Sequence, residues 1–242
     1  MAESTEQTVT LTLHKLSSSA AHRVNWALEE LSAANGLKFN VKHYSRHGKT
    51  TREDLKKIFP LGKSPILEVE STVDGAPQKK VMTESRIILQ YLADAFSNGI
   101  WTPQSPQDQE RDAFMQEFAN STLLVKNDFA LIFEVIPAVL TPPLSWLVGL
   151  MVKPVVAYFM TDLNPIYQYI EDSLSDEKPW FSGAKLGLAD FNASFGMDIS
   201  EQRGYFDGKK YPKLAAWLKR VHERPAYRMA LEGSPYDLKK FR

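Results

Sequence analysis

The residue that most constrains the fold of this chain is Pro65, which heads an apolar run within Gly62-Lys63-Ser64-Pro65-Ile66-Leu67. A proline at the start of a strand donates no hydrogen bond and forces the residue before it to be extended. Ser64 is that residue, with its main-chain N–H and carbonyl open to an extended ligand. One hairpin later comes Thr83-Glu84-Ser85-Arg86-Ile87-Ile88, which reads as a helix start. Its free N–H groups and positive dipole favour a carboxylate, and Glu84 beside them can hold an ammonium. The α-carbon of an amino acid carries both charges, so the two segments together describe a socket for a small zwitterionic peptide. Singly, Lys-Ser-Pro is an ordinary turn and Glu-Ser an ordinary helix start, so the reading rests on their order and spacing.

The pattern around this pair has a definite order. From Thr8 the chain alternates polar and apolar residues, a period of two that predicts a strand with Val9, Leu11 and Leu13 on one face. Val24, Ala27, Leu28 and Leu31 recur at helical spacing and stop near Asn35-Gly36, a common left-handed helix end. Residues 39–44 read as a second strand. Thr50-x-x-Glu53 has the form of a capping box and starts a short helix through Leu55, Ile58 and Phe59 that Pro60 ends. Strands over 65–70 and 79–82, joined by a turn at Asp74-Gly75, and a helix over 84–96 complete a βαβαββα order. Residues 99–106 carry Gly99, Pro103 and Pro106 between periodic segments, marking a domain boundary. Everything beyond reads as helix: 111–134, 144–174, 188–203 and 211–224. The expected division is residues 1–98, a linker at 99–108, and an all-helical domain over 109–242.

Composition narrows the chemistry. The chain has 242 residues, 43% of them apolar, enough for two small cores. Lys plus Arg equal Asp plus Glu at 29 each, so no global field draws it to nucleic acid or acidic lipid. Without cysteine, disulfides, thiolate metal sites and mechanisms using a protein thiol are excluded, and any sulfur nucleophile comes from a small molecule. His14, His22, His43 and His222 lack ligand-like spacing, so no metal is expected. Residues 1–7 are polar and do not read as a secretory signal, so a cytoplasmic protein is expected. Residues 135–152 form an uncharged run. Pro137, Pro142 and Pro143 interrupt it, and what remains before Lys153 is read as too short to span a bilayer, leaving at most peripheral membrane contact.

At this point the chain resembles the cytosolic-type glutathione S-transferase family, over nearly its whole length. In the first domain the likeness rests on Ser19-x-x-x-Arg23, on Ser64-Pro65, which in the family is a cis-proline turn, and on Glu84-Ser85. In the second it rests on Gly187-Leu188-Ala189-Asp190 and on Tyr211-Pro212 through Trp217 to Arg224-Pro225-Ala226-Tyr227. Within the family, residues 14–23, 61–65 and 143–147 look most like the fungal branch that includes yeast's membrane-associated transferase. The resemblance implies a thioredoxin-like domain joined to an all-helical domain, glutathione as co-substrate, and a homodimer. It implies Lys63, Ser64, Pro65, Glu84 and Ser85 as the glutathione-binding set, with His47 and Lys49 as weaker candidates for the glycine carboxylate. One departure is Gly187, where the family has a Ser or Thr cap, at a cost of a few tenths to about one kcal/mol.

The chemistry such an enzyme must do is ionisation. Glutathione's thiol titrates near ~8.5 in water, and lowering that by about two units takes roughly 2.7 kcal/mol of preference for the anion. A hydroxyl donating to the sulfur supplies about 1.5–3 kcal/mol, and a helix N-terminus about 0.3–1 more. Residues 14–23 hold no tyrosine, which leaves Ser17, Ser18 and Ser19. Ser19 matches the family's serine-type position and is the expected catalytic residue, with Ser18 and Ser17 as alternatives. The competing use of these hydroxyls is capping the first helix, and that of Arg23 is a structural ion pair at the domain interface. Trp146, Phe129, Phe133 and Tyr158 could line an apolar acceptor site, although aromatics at helical spacing are commonly core. The expected activity is thiolate attack on an apolar electrophile, with reduction of organic hydroperoxides as a second activity. The competing classes are a non-catalytic binding or scaffolding protein of the same fold and a membrane-inserting protein.

Overall fold

In the computed structural model, residues 9–73 and 76–240 are described. The amino-terminal segment and the expected turn at Asp74-Gly75 lie outside the described residues. The chain divides into two compact units, Met1–Ile100 with His222–Arg242, and Trp101–Val221. Sequence reading groups residues 109–242 in the helical domain, whereas His222–Arg242 fall within the first unit.

The first unit is built on a four-stranded sheet of order β2-β1-β3-β4, formed by β1 (Val9–Leu16), β2 (Phe39–Tyr44), β3 (Ile66–Val73) and β4 (Ala76–Met82). β1 runs parallel to β2 and antiparallel to β3, with Leu13 opposite Leu67 and His14 opposite Ile66. Period-two alternation places Leu11, Leu13, Leu67 and Val69 on the buried side. Helix α1 (Ala21–Asn35) turns Val24, Ala27, Leu28 and Leu31 inward and ends at Gly36, whose φ of 70° is the left-handed stop that glycine accommodates. Between them, α2 (Thr51–Lys56) is shorter than the apolar spacing suggests, and Phe59 and Pro60 lie beyond its end. Its Thr50 makes no side-chain cap hydrogen bond, because the residue sits in the helical region instead of the extended conformation a cap needs. Helix α3 (Ser85–Phe96) buries Ile88, Leu89 and Leu92.

The second unit is helical throughout. The single helix expected over 111–134 is α4 (Pro106–Glu117), a π-helical turn over Phe118–Leu123, and α5 (Leu124–Val135). Two side chains of that turn explain the break: the Asn120 amide donates to the Gln116 carbonyl and the Ser121 hydroxyl to the Glu117 carbonyl, competing for acceptors the main chain would use. Helix α6 (Leu144–Ser173) runs unbroken through Pro154 and Pro165. Pro154 removes the bond to the Leu150 carbonyl, which lies on the exposed side of the helix where water can take its place. This corrects the reading that the apolar run is too short to span. An 18-residue window of α6 has a mean hydropathy of 1.5, none of it buried, so by length and composition this one helix could cross a membrane.

Helix α7 (Leu188–Gln202) is the buried centre of the unit, with every residue from Leu188 to Ser200 buried. Its glycine cap is compensated. The Asp190 carboxylate accepts from Gly187 N–H at 3.0 Å, and the free N–H of Ala189 is taken by Asp112 at 3.0 Å and Ser182 Oγ at 3.2 Å. Asp190 also accepts from Phe181 N–H and, at 2.7 Å, from the indole of Trp217 on α8 (Pro212–His222). A last helix, α9 (Pro225–Ala230), belongs to the first unit and packs on α1.

Candidate functional site

The loop between α2 and β3 is shaped by two backbone requirements. Gly62 has φ 59°, and a Cβ there would come within 2.9 Å of the Arg52 carbonyl, so the turn leaving α2 demands glycine. Ser64–Pro65 is a cis peptide bond. Between them the Ser64 hydroxyl donates to the His14 carbonyl at 2.9 Å and accepts from Leu16 N–H at 3.0 Å. The side chain thus ties the loop to β1, while among the described residues no protein group pairs with the Ser64 main chain.

Opposite it, α3 begins at Ser85, which is buried and has no side-chain partner among the described residues. Glu84 precedes it with φ 64° and ψ 110°. A left-handed glutamate costs on the order of 1–3 kcal/mol, and such residues cluster where a ligand is held. The Glu84 side chain is exposed and forms no ion pair among the described residues.

These two elements close a pocket of about 210 Å³. Lys63, Ser64, Pro65, Glu84 and Ser85 all line it, so the structure brings together the five residues that the resemblance implies. It adds Ala20, Arg23, Phe59, Leu61 and Thr83. Arg23, which sequence reasoning gave a structural role, is buried and faces this pocket. Phe59 and Leu61 could have been found from their place beside the turn glycine, whereas nothing local marks Ala20 or Thr83. His47 and Lys49 are exposed and do not line it.

The three serines stand next to Ala20, outside the lining, and each already has main-chain partners. Ser17 Oγ accepts from Arg46 N–H at 3.0 Å. Ser18, at φ 48°, accepts from Asp237 N–H at 3.0 Å and donates to the Pro235 carbonyl at 3.4 Å. Ser19 Oγ donates to the Leu16 carbonyl at 2.7 Å and accepts from Ala21 N–H at 3.3 Å. A polar chain runs across the sheet from β2 to β4. His14 Nδ1 meets the Tyr44 hydroxyl at 2.9 Å, His14 Nε2 lies 3.1 Å from Glu68, and Lys79 reaches Glu68 at 2.7 Å. Burial lowers the His14 pKa despite the carboxylate beside it. Burial also works against ionised Glu68, but Lys79 and the adjacent His14 ring together outweigh it and hold the carboxyl below its ordinary value. Among the described residues no group of three or more His, Asp or Glu side chains could hold a metal ion.

In the second unit Phe129 and Phe133 stack on Phe159 at 5.4 and 5.9 Å, and Tyr158 packs edge-on against the same ring. Trp146 stands apart on α6, 80% exposed.

A mixed four-stranded βαβαββα unit with an extended-peptide edge facing a helix N-terminus, followed by an all-helical unit, is a thioredoxin-like peptide-binding architecture with a helical partner domain. Residues 9–94 match the model for the glutathione S-transferase N-terminal domain and residues 135–225 that for the C-terminal domain. This chain belongs to the glutathione S-transferase family. Glutathione S-transferase 1 of Saccharomyces cerevisiae is 25% identical over 224 residues, covering 91% of this chain and 93% of that protein. Glutathione S-transferase 3 of Schizosaccharomyces pombe is 25% identical across 92% of this chain and 87% of its own length. Among solved structures, a glutathione transferase homolog from Lodderomyces elongisporus, described with two GSH per subunit, superposes with a TM-score of 0.72. It is 23% identical over 93% of this chain and 99% of that one, a likeness of fold.

Proposed function

We propose that this transferase binds glutathione in the pocket of the first unit, stabilises its thiolate and directs it at an apolar electrophile. The observation that carries the reading is that pocket, which brings an unpaired main-chain edge at Ser64, a helix N-terminus at Ser85, the anion of Glu84 and the cations of Arg23 and Lys63 around about 210 Å³. A γ-glutamyl α-carbon offers a carboxylate to Ser85 and the α3 amides and an ammonium to Glu84, and the peptide's central residue pairs with Ser64. The glutathione named in the Lodderomyces structure supports the same ligand class.

Ser19 is the proposed catalytic residue, with Ser17 and Ser18 as alternatives. On binding, its proton turns from the neutral Leu16 carbonyl to an anionic sulfur, and a hydrogen bond to a charged group exceeds a neutral one by about 1 kcal/mol. The thiol proton leaves to solvent. The thiolate then forms a C–S bond, and the leaving group departs with its electron pair. As a second activity, two glutathione molecules reduce one organic hydroperoxide to alcohol and water and become the disulfide.

The test is a glutathione titration read by thiolate absorbance, with Ser19→Ala alongside. The variant should bind glutathione with little change, raise the bound thiol pKa by about one unit, and lose activity near pH 6.5 in a deficit that shrinks at high pH. A deficit independent of pH would mean Ser19 positions something else. A non-catalytic binder is the second reading, favoured by the three hydroxyls being already paired to main chain. It expects binding without any thiolate signal.

Assembly as a homodimer belongs to the same proposal, and a sedimentation mass of one chain at micromolar concentration would exclude it. A cytoplasmic protein that touches membranes peripherally belongs to the same proposal; the exposed Leu147, Leu150 and Met151 support membrane contact through α6, a helix also long enough to span, so recovery only in detergent would overturn the peripheral reading. Fractionation with and without detergent decides that point.

A further inference from the structure

The carboxy-terminal residues that sequence reading assigned to the helical domain pack in the first unit and end on the serine loop. Ser18 takes a left-handed backbone, φ 48°. Its N–H donates to the Pro235 carbonyl at 3.1 Å and its hydroxyl accepts from Asp237 N–H at 3.0 Å. From the other side, Arg46 Nη2 donates to the Ser18 carbonyl at 2.8 Å and Arg46 N–H to the Ser17 hydroxyl at 3.0 Å. The segment is itself anchored. Arg224 pairs with Glu30, the Ala230 carbonyl accepts from Asn25 at 3.0 Å, Tyr236 packs on His22 at 4.2 Å, and Leu238 is fully buried.

We propose that residues 235–237 are a positioning element for the reaction, clamping Ser18 in its left-handed conformation so that the Ser19 hydroxyl meets the sulfur of bound glutathione. The inference rests on Ser19 being the activating hydroxyl. Ser18 is the one serine of the three whose hydroxyl both donates to and accepts from the carboxy-terminal main chain, and one residue of backbone rotation there redirects its neighbour. None of the residues lining the glutathione pocket belongs to the carboxy-terminal segment, so thiol activation and peptide affinity are separable.

Two variants break the clamp from opposite sides: Ser18→Ala, and the chain shortened after Gly233. Each should raise the pKa of the bound thiol by about half to one unit and lower activity near pH 6.5 by about three- to tenfold, with the KM for glutathione changed less than about twofold. Ser18→Asn, which tolerates the left-handed region and keeps an acceptor, should recover most of the loss. Combined with Ser19→Ala, neither change should cost anything further, because both act through that hydroxyl. An unchanged pH profile in Ser18→Ala overturns the proposal, as does an additive loss in the double variant. Should the shortened chain fail to fold, the Ser18→Ala and Ser18→Asn pair decides alone. If Ser19→Ala itself leaves the thiol pKa unmoved, the reading of Ser19 fails and the positioning proposal with it. If Ser19→Ala shifts the pKa and Ser18→Ala does not, only the positioning role falls.

Discussion

The hydroxyl of Ser64 donates to the main-chain carbonyl of His14 at 2.9 Å, so the residue that offers its backbone to a peptide is fastened by its side chain to the central strand pair. Ser64→Ala removes this bond and the one from Leu16 N–H. We expect a stability loss of about 1–2 kcal/mol by denaturant titration. Glutathione affinity should fall with it, because the main-chain edge is no longer held in place.

Glu84→Ala and Ser85→Ala should each weaken glutathione binding by about 1–3 kcal/mol in calorimetry, since each leaves a charged end of the peptide unpaired. Glu84→Gly sharpens the test. It should raise thermal stability, because glycine meets no penalty at φ 64°, and still lose affinity. Unchanged affinity in all three variants would exclude the socket.

Lys15 is buried beside the Ala230 carbonyl, and burial pulls its pKa from 10.5 to about 8 with Glu29 opposing. The unfolded chain therefore takes up this proton at a higher pH than the folded one. Stability should rise between about pH 8 and 10.5 and be flat in this group below pH 8. Lys15→Met should remove that slope and stabilise the protein at neutral pH by on the order of 2–3 kcal/mol. Urea titrations at pH 7 and pH 10 of both proteins measure the difference.

Asp190 is fully buried among the N–H groups of Phe181, Ser182, Gly187 and Trp217, and burial raises its pKa to about 6 against those donors. Asp190→Asn would turn one donor toward these donors, and we expect a loss of about 2–4 kcal/mol. Ser182→Ala, which removes a partner of the Ala189 N–H, should cost less, about 1 kcal/mol, because Asp112 still accepts it. Thermal unfolding of both variants gives the ranking.

Much of this protein was legible because its determinants are local. Pro65 fixes an extended Ser64, alternation at residues 9–13 makes a strand, and Gly36 ends α1, each through backbone sterics or periodicity within a few residues. That Ser64, Pro65, Glu84 and Ser85 line one pocket is legible for the same reason, since one hairpin carries both halves, whereas Lys63 is singled out only through the family resemblance. What the tertiary structure alone decided are relationships between residues far apart in the chain. Arg23 turns out to face the pocket because α1 packs beside the turn. Asp112 and Ser182 replace the missing cap at Gly187 from two other segments. The π-helical turn at Phe118–Leu123 depends on side chains of Asn120 and Ser121 winning carbonyls from the main chain, a competition settled by what surrounds them. Least legible is the return of residues 235–237 to Ser18, more than two hundred residues away. Periodicity reports which face of an element is buried, but the partner on that face is chosen by packing.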